Sequence, residues 1–371
     1  MNTTAKLNNI QVLRAFAAIT VAVFHTGFVL PHLRPFGSFG VDVFFVISGY
    51  IMARILDPAS VSSSDFFFRR RILRIVPPYW FFTILLFLAA AHSPQLMKST
   101  RATAADLLQS LFFIPFTKSN GLIQPLLFVG WSLNYEMFFY LALAIGLLLY
   151  KRRAVWLGAA IVLATMLASI PFAAHNVLAR FYARDISIDF LLGILGYHLC
   201  RAISDSRARS WRLPALIVCF ASALGLIATQ AFFPHDIFPD SARFLTLGAL
   251  SFLLVTSASL LSQAHWDTRL ASLVLLGDAS YMLYLIHPYC EYSLDRLFGA
   301  HYHWLKVGTA SGTLIGVSFS ILGAILLHLY AERPTVRFLN RNFGGKRKSI
   351  EFAAAAPENK WGGSSVATAV R

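Results

Sequence analysis

Charge is what this chain has least of. Only 13% of its 371 residues are Asp, Glu, Lys or Arg, about half the share common in soluble domains. Acidic side chains are the scarcer kind, 17 against 32 Lys and Arg. A freely soluble globular protein is thereby excluded. Cysteine is also rare: Cys200, Cys219 and Cys290 stand scattered in apolar stretches. Their spacing supports neither a disulfide framework nor a metal site, and they read as small buried hydrophobes. No His/Cys/Asp/Glu group shows ligand spacing such as His-x3-His, so no metal is implied. The alternating strands of about ten residues that build a membrane β-barrel are missing as well. The formal charge of +15 does not point to nucleic acid, because the arginines gather at the ends of apolar segments, as the positive-inside rule expects.

What remains is apolar sequence, 57% of the chain, in runs that approach the roughly 20 residues needed to cross hydrocarbon. The expected fold class is all-α: a polytopic membrane helical bundle of about ten transmembrane helices. The spans fall near residues 10–30, 37–56, 78–97, 125–149, 155–173, 186–200, 214–233, 242–262, 271–290 and 307–330. With the N-terminus inside, Arg69–Arg71, Arg74, Lys151–Arg153, Arg201, Arg207, Arg209 and Arg212 all lie on the cytoplasmic side, with the basic C-terminal residues. The opposite orientation inverts that bias, so the topology reads N-in/C-in. The first span lacks a small-residue cleavage site and reads as retained. Residues 1–338 form the membrane domain, and 339–371, small and polar, read as a disordered cytoplasmic tail. Asp65–Val76, aromatic and basic, is expected to lie as a helix in the cytoplasmic interface. Lys98–Gln124 is a long external stretch whose LLQSLFFIPF segment is too short to cross.

Polar residues inside such spans are costly and mark function. Arg14 and His25 are eleven residues apart, so on a helix they face the same side within roughly 20°, about 16 Å apart along the axis. Counted from the cytoplasmic ends of their spans, His25, Asp42, Glu136 and His287 fall at one level, roughly 20–24 Å deep. Two imidazoles and two carboxylates there suggest a site. Plainer readings stand beside it: His287 as a structural hydrogen-bonder, and Asp42 as the partner of an arginine from a neighbouring span. Glu136 has no basic residue within a turn and needs a partner from another helix; a His–Glu pair would orient the imidazole and raise its basicity. Anchoring alone explains the Arg69–Arg71 run, yet Arg71 and Arg74, one turn apart before Pro77–Pro78, also suit a phosphate clamp.

Six segments then accumulate in order: LRAFAAITVAVFH (Leu13–His25), FGVDVFFVISGYIM (Phe39–Met52), FFRRRILRIVPPYW (Phe67–Trp80), WSLNYEMFFY (Trp131–Tyr140), SYMLYLIHP (Ser280–Pro288) and AERP (Ala331–Pro334). With them the chain resembles the membrane-bound acyltransferase type 3 family, most closely its bacterial exopolysaccharide O-acetyltransferase branch. The resemblance implies a multi-pass protein of the bacterial cytoplasmic (inner) membrane. It further implies transfer of an acyl group, acetyl by default, from cytoplasmic acyl-CoA to a hydroxyl of a cell-surface polysaccharide or its lipid-linked precursor. Acyl-CoA is a co-substrate, with no cofactor bound permanently, and membrane lipids are the remaining partners. On the family pattern His25 is the catalytic residue and Glu136 its partner, with Asp42 at the same level. Arg14, Arg71 and Arg74, with Arg70 beside them, are donor contacts.

His25 could deprotonate the acceptor hydroxyl or take the acyl group itself, and the sequence leaves both open. Ser48, Tyr50, Trp131 and Ser132 are candidate donors to the thioester oxyanion, and His287 joins them as a candidate substrate contact. A different class, a proton-coupled secondary transporter or flippase, would relay protons through the same His and carboxylates. It is expected to show internal repeats, and none is convincing between residues 1–185 and 186–330.

Overall fold

The computed structural model describes residues 7–30, 36–57, 64–93, 103–232, 243–299 and 301–343. Among them every regular element is helical, and a single isolated bridge pairs Thr117 with Ile123. Six helical segments are long and apolar enough to cross a membrane: 71–92, 128–149, 151–172, 212–232, 244–263 and 310–342. Rows of leucine and phenylalanine stay exposed on them, among them Leu148, Phe220, Leu314 and Leu322. Such outward apolar surface suits lipid, not water, and the chain is a multi-pass membrane protein.

The shorter, more polar helices form the interior. Helix α1 (Asn8–His25) packs its small residues Ala15, Ala17, Ala18 and Ala22 inward, and these let neighbouring backbones approach closely. It ends at His25, and Gly27 (φ +67°) turns the chain away, a left-handed position that glycine adopts at little cost. Helix α2 (Gly40–Ile55) is fully inside the bundle. Helix α3 (Ser64–His92) runs 29 residues through Pro77 and Pro78. The basic segment at 65–76 is thus the first part of this one helix, not a separate interfacial helix. Helix α4 (Ala104–Leu111) is capped by Thr103, whose hydroxyl accepts from the Asp106 amide at 3.1 Å.

Helices α5 (Trp131–Leu149) and α6 (Ala154–Ser169) form a hairpin across Lys151–Arg153. The short α7 (Val177–Tyr182) precedes α8 (Ile188–Ala202). Gly49 and Gly193 allow α8 to lie directly on α2: a Cβ at either would come within about 2 Å of the other helix's backbone. Next come α9 (Asp205–Ser210), α10 (Arg212–Phe232) and α11 (Ala249–Gln263). The span expected at 271–290 is two helices, α12 (Ala271–Asp278) and α13 (Ser280–Leu294), broken at Ala279. The backbone of Gln11 occupies the place of a Cβ on Gly277, so α1 wedges against this break. Finally α14 (Ala310–Leu327) passes through a π-turn at His328–Glu332 into α15 (Arg333–Phe343). That helix carries regular structure to Phe343, inside the segment expected to be a tail; 344–371 lie outside the described residues.

Candidate active site

The two imidazoles meet. His25, the last residue of α1, and His287 of α13 stack with ring centroids 5.0 Å apart and planes inclined by 26°. His25 Nδ1 and His287 Nε2 are 2.8 Å apart. His287 Nδ1 lies 3.0 Å from the carbonyl oxygen of Leu283, which can only accept. In the neutral ring that nitrogen therefore carries the proton, and Nε2 accepts. The hydrogen bond across the pair then runs from His25 Nδ1–H to His287 Nε2. The Nε2 lone pair of His25 is left available. Phe128 meets the His25 ring edge-on at 5.1 Å and limits its rotation.

Inward of this pair is a cavity of about 110 Å³, walled by α1, α2, α3, α5 and α13. Arg14, Arg71 and Arg74 line it, with Ser48, Glu136, Tyr140 and Tyr281. Its far wall carries Ser132 and Tyr284, and the Tyr284 ring lies 6.1 Å from that of His287. The Tyr284 hydroxyl donates to the Val129 carbonyl (3.0 Å) and is 2.7 Å from the hydroxyl of Ser132. Arg71 sits over the ring of Tyr140 at 5.8 Å. Neither Arg14 nor Arg74 makes a hydrogen bond or ion pair with a described residue, although Arg14 is within electrostatic reach of Arg74, Glu136 and Glu332. Three guanidiniums around one carboxylate leave the cavity electropositive.

The expected single level of two imidazoles and two carboxylates therefore resolves into three places. Glu136 is not hydrogen-bonded to His25. Its carboxylate accepts from Tyr140 and, at 3.4 Å, from Ser48, and it faces the arginines. Asp42 takes two hydrogen bonds from Arg243, at 2.8 and 2.6 Å, and does not line the cavity; the plainer reading of that residue is the one the geometry matches. Ser48 and Ser132 do line it. Tyr50 is buried edge-on against Tyr197 and Trp131 lies under Arg184, so neither reaches the cavity. The side chain of Arg70 lies outside the described residues.

The sequence reading missed Tyr140, Tyr281, Tyr284 and Glu332. Helical spacing was the available signal: Tyr140 is four residues from Glu136, and Tyr284 three from His287. Glu332, in AERP, is bonded to His328 Nδ1 at 2.6 Å within the π-turn, a feature frequent at functional sites.

A multi-pass helical protein with three arginines lining one cavity, beside an imidazole pair of which His287 is fully buried, is equipped for polar chemistry within the membrane. The family whose model describes an acyltransferase domain matches residues 7–329, and the chain belongs to that family; it is a membrane acyltransferase. It is 33% identical over 323 residues to the exopolysaccharide production protein ExoZ of Rhizobium meliloti, covering 85% of this chain and 94% of that one. It is 28% identical over 305 residues to the putative peptidoglycan O-acetyltransferase YrhL of Bacillus subtilis, 74% of this chain and 47% of that one. The acyltransferase MdmB of Streptomyces mycarofaciens is 25% identical over 381 residues, 91% and 93% of the two chains. No solved structure matches significantly.

Proposed function

We propose that this chain moves an acyl group, acetyl by default, from cytoplasmic acyl-CoA to a hydroxyl of a cell-surface polysaccharide or its lipid-linked precursor. It does so in the bacterial inner membrane, as an N-in/C-in bundle of ten spans. The carrying observation is the cavity lined by Arg14, Arg71 and Arg74, whose wall residue Tyr284 lies 6.1 Å, ring to ring, from His287. Three guanidiniums that outnumber the one carboxylate lining the same cavity suit the phosphates of the donor. The axial distance of about 16 Å from Arg14 to His25 on one continuous helix suits an extended pantetheine arm. The likeness to a protein named for exopolysaccharide production supports the acceptor class.

In this reading the Nε2 of His25 takes the proton of the acceptor hydroxyl. The oxygen attacks the thioester carbon, and the carbonyl oxygen becomes an oxyanion that accepts from the hydroxyl of Ser132, turned toward it while Tyr284 stays bonded to Val129. Collapse breaks the carbon–sulfur bond, and His25 returns its proton to the departing thiolate. Ester and free thiol are formed, and no proton is gained or lost. The test is transfer from radiolabelled acetyl-CoA in membranes carrying wild type or His25→Ala. The variant is expected to insert normally and to lose transfer; label transferred at the parental rate would overturn the reading.

A further inference from the structure

The outer end of α13 carries an acidic group that neither the donor cavity nor the imidazole pair uses. Ser280, Tyr284, His287 and Glu291 follow in steps of four, three and four along α13, which keeps them on one helix face. The first two line the cavity and the third meets His25. Glu291 lies one turn further out, about 6 Å along the axis, near the helix end at Leu294. It is 4% exposed, and its Oε1 makes no hydrogen bond to any described residue. Its side chain rests against α14, where a Cβ on Gly316 would sit 3.5 Å from Glu291 Cγ. Nearby, Thr313 of α14 donates to the hydroxyl of Thr26, the residue after His25, at 3.1 Å. The end of α1, the outer turns of α13 and the start of α14 thus surround one acidic group. An unpartnered buried carboxyl group costs about 1–3 kcal/mol or more, and in a membrane span such a group marks a ligand path.

We propose that Glu291 binds the acceptor, hydrogen-bonding a hydroxyl adjacent to the one that is acylated. The inference rests on the acyl-transfer reading and narrows it. The acceptor unit carries neighbouring hydroxyls and no negative charge at that position, as an uncharged sugar residue does. Two hydrogen bonds of about 2.8 Å, one to His25 Nε2 and one to the Glu291 carboxyl group, let adjacent hydroxyls bridge one helical turn. A sugar carboxylate there would meet Glu291 and be disfavoured.

The test uses the full chain in membranes, with wild type, Glu291→Leu, Glu291→Gln and His25→Ala compared. Transfer is measured from radiolabelled acetyl-CoA to chemically O-deacylated surface polysaccharide of the producing cell, each substrate varied in turn. Glu291→Leu is expected to raise the half-saturating acceptor concentration about tenfold, the worth of one lost hydrogen bond to a buried group. The half-saturating donor concentration should stay within about twofold of wild type. Glu291→Gln, isosteric and still able to hydrogen-bond, should fall between them and covers the case in which the leucine variant misfolds. An unchanged acceptor requirement in the variants, or donor and acceptor requirements rising together, overturns the inference and leaves the acyl-transfer reading standing. Wild type without transfer, or His25→Ala with full transfer, sinks that reading itself.

Discussion

His25 owes the orientation of its ring to a residue 262 positions away. Its Nδ1–H is held by His287, which is oriented in turn by the carbonyl of Leu283, one turn back on its own helix. Replacing His287 by Ala removes the acceptor and frees the ring of His25. We expect kcat to fall about 100-fold or more, with the donor KM little changed, because the cavity arginines are untouched. His287→Gln, whose amide oxygen still accepts, should retain more activity than the alanine variant. Steady-state acyl transfer decides this; an alanine variant within twofold of wild type would leave His287 without an orienting role. Depth counting along single helices brought the two imidazoles to one level, because each helix advances by a fixed rise. It could not tell which of the polar groups at that level share a partner. Helix rotation decides that, and it sends Glu136 to Tyr140 and Asp42 to Arg243.

At the scale of elements, the buried pairing of α2 with Arg243, at the start of the π-turn segment that leads into α11, carries a definite expectation. Asp42 and Asp189 are both fully buried, with Asp185 and Arg243 within electrostatic reach of Asp189. Arg243 therefore serves both Asp42 and Asp189. Arg243→Met takes its charge from both and should cost about 3–5 kcal/mol, as breaking a buried pair does. Asp42→Asn leaves Arg243 a second carboxyl neighbour and should cost distinctly less. Thermal unfolding in detergent orders the two; equal losses would mean that the carboxyl groups are independent. The outer helices were legible because Leu, Ile and Val run unbroken there. The interior ones were less so, since the site residues themselves interrupt the apolar pattern: α1 holds Asn8, Asn9, Gln11, Arg14 and His25. The break at Ala279 had only a short mark in the sequence, the turn-favouring Gly277–Asp278 before Ser280, and the packing of α1 against Gly277 accompanies it.

For the whole molecule, orientation follows from where the arginines stand. With the N-terminus inside, the turn at Lys151–Arg153 faces the cytoplasm and the loop around Ser119 faces outward. In a cysteine-free background, Ser119→Cys on intact spheroplasts should react with a membrane-impermeant maleimide. Arg152→Cys should react only after lysis. The reverse pattern would invert the bundle and place the arginine-lined end of the cavity on the wrong side for a cytoplasmic donor. Charge bias gives the orientation as an expectation that this labelling tests, whereas the cavity depends on five helices from separate parts of the chain and was readable only in part.

The hydrogen bond from His287 to the backbone of its own helix has a bearing on bioenergetics. A membrane enzyme that opens toward both compartments risks short-circuiting the proton-motive force through any chain of titratable groups. Here the far nitrogen of His287 is taken by a peptide carbonyl, and among the described residues no hydrogen bond carries a proton onward from that nitrogen. A base can thus be held deep in the bilayer without becoming a wire for ions.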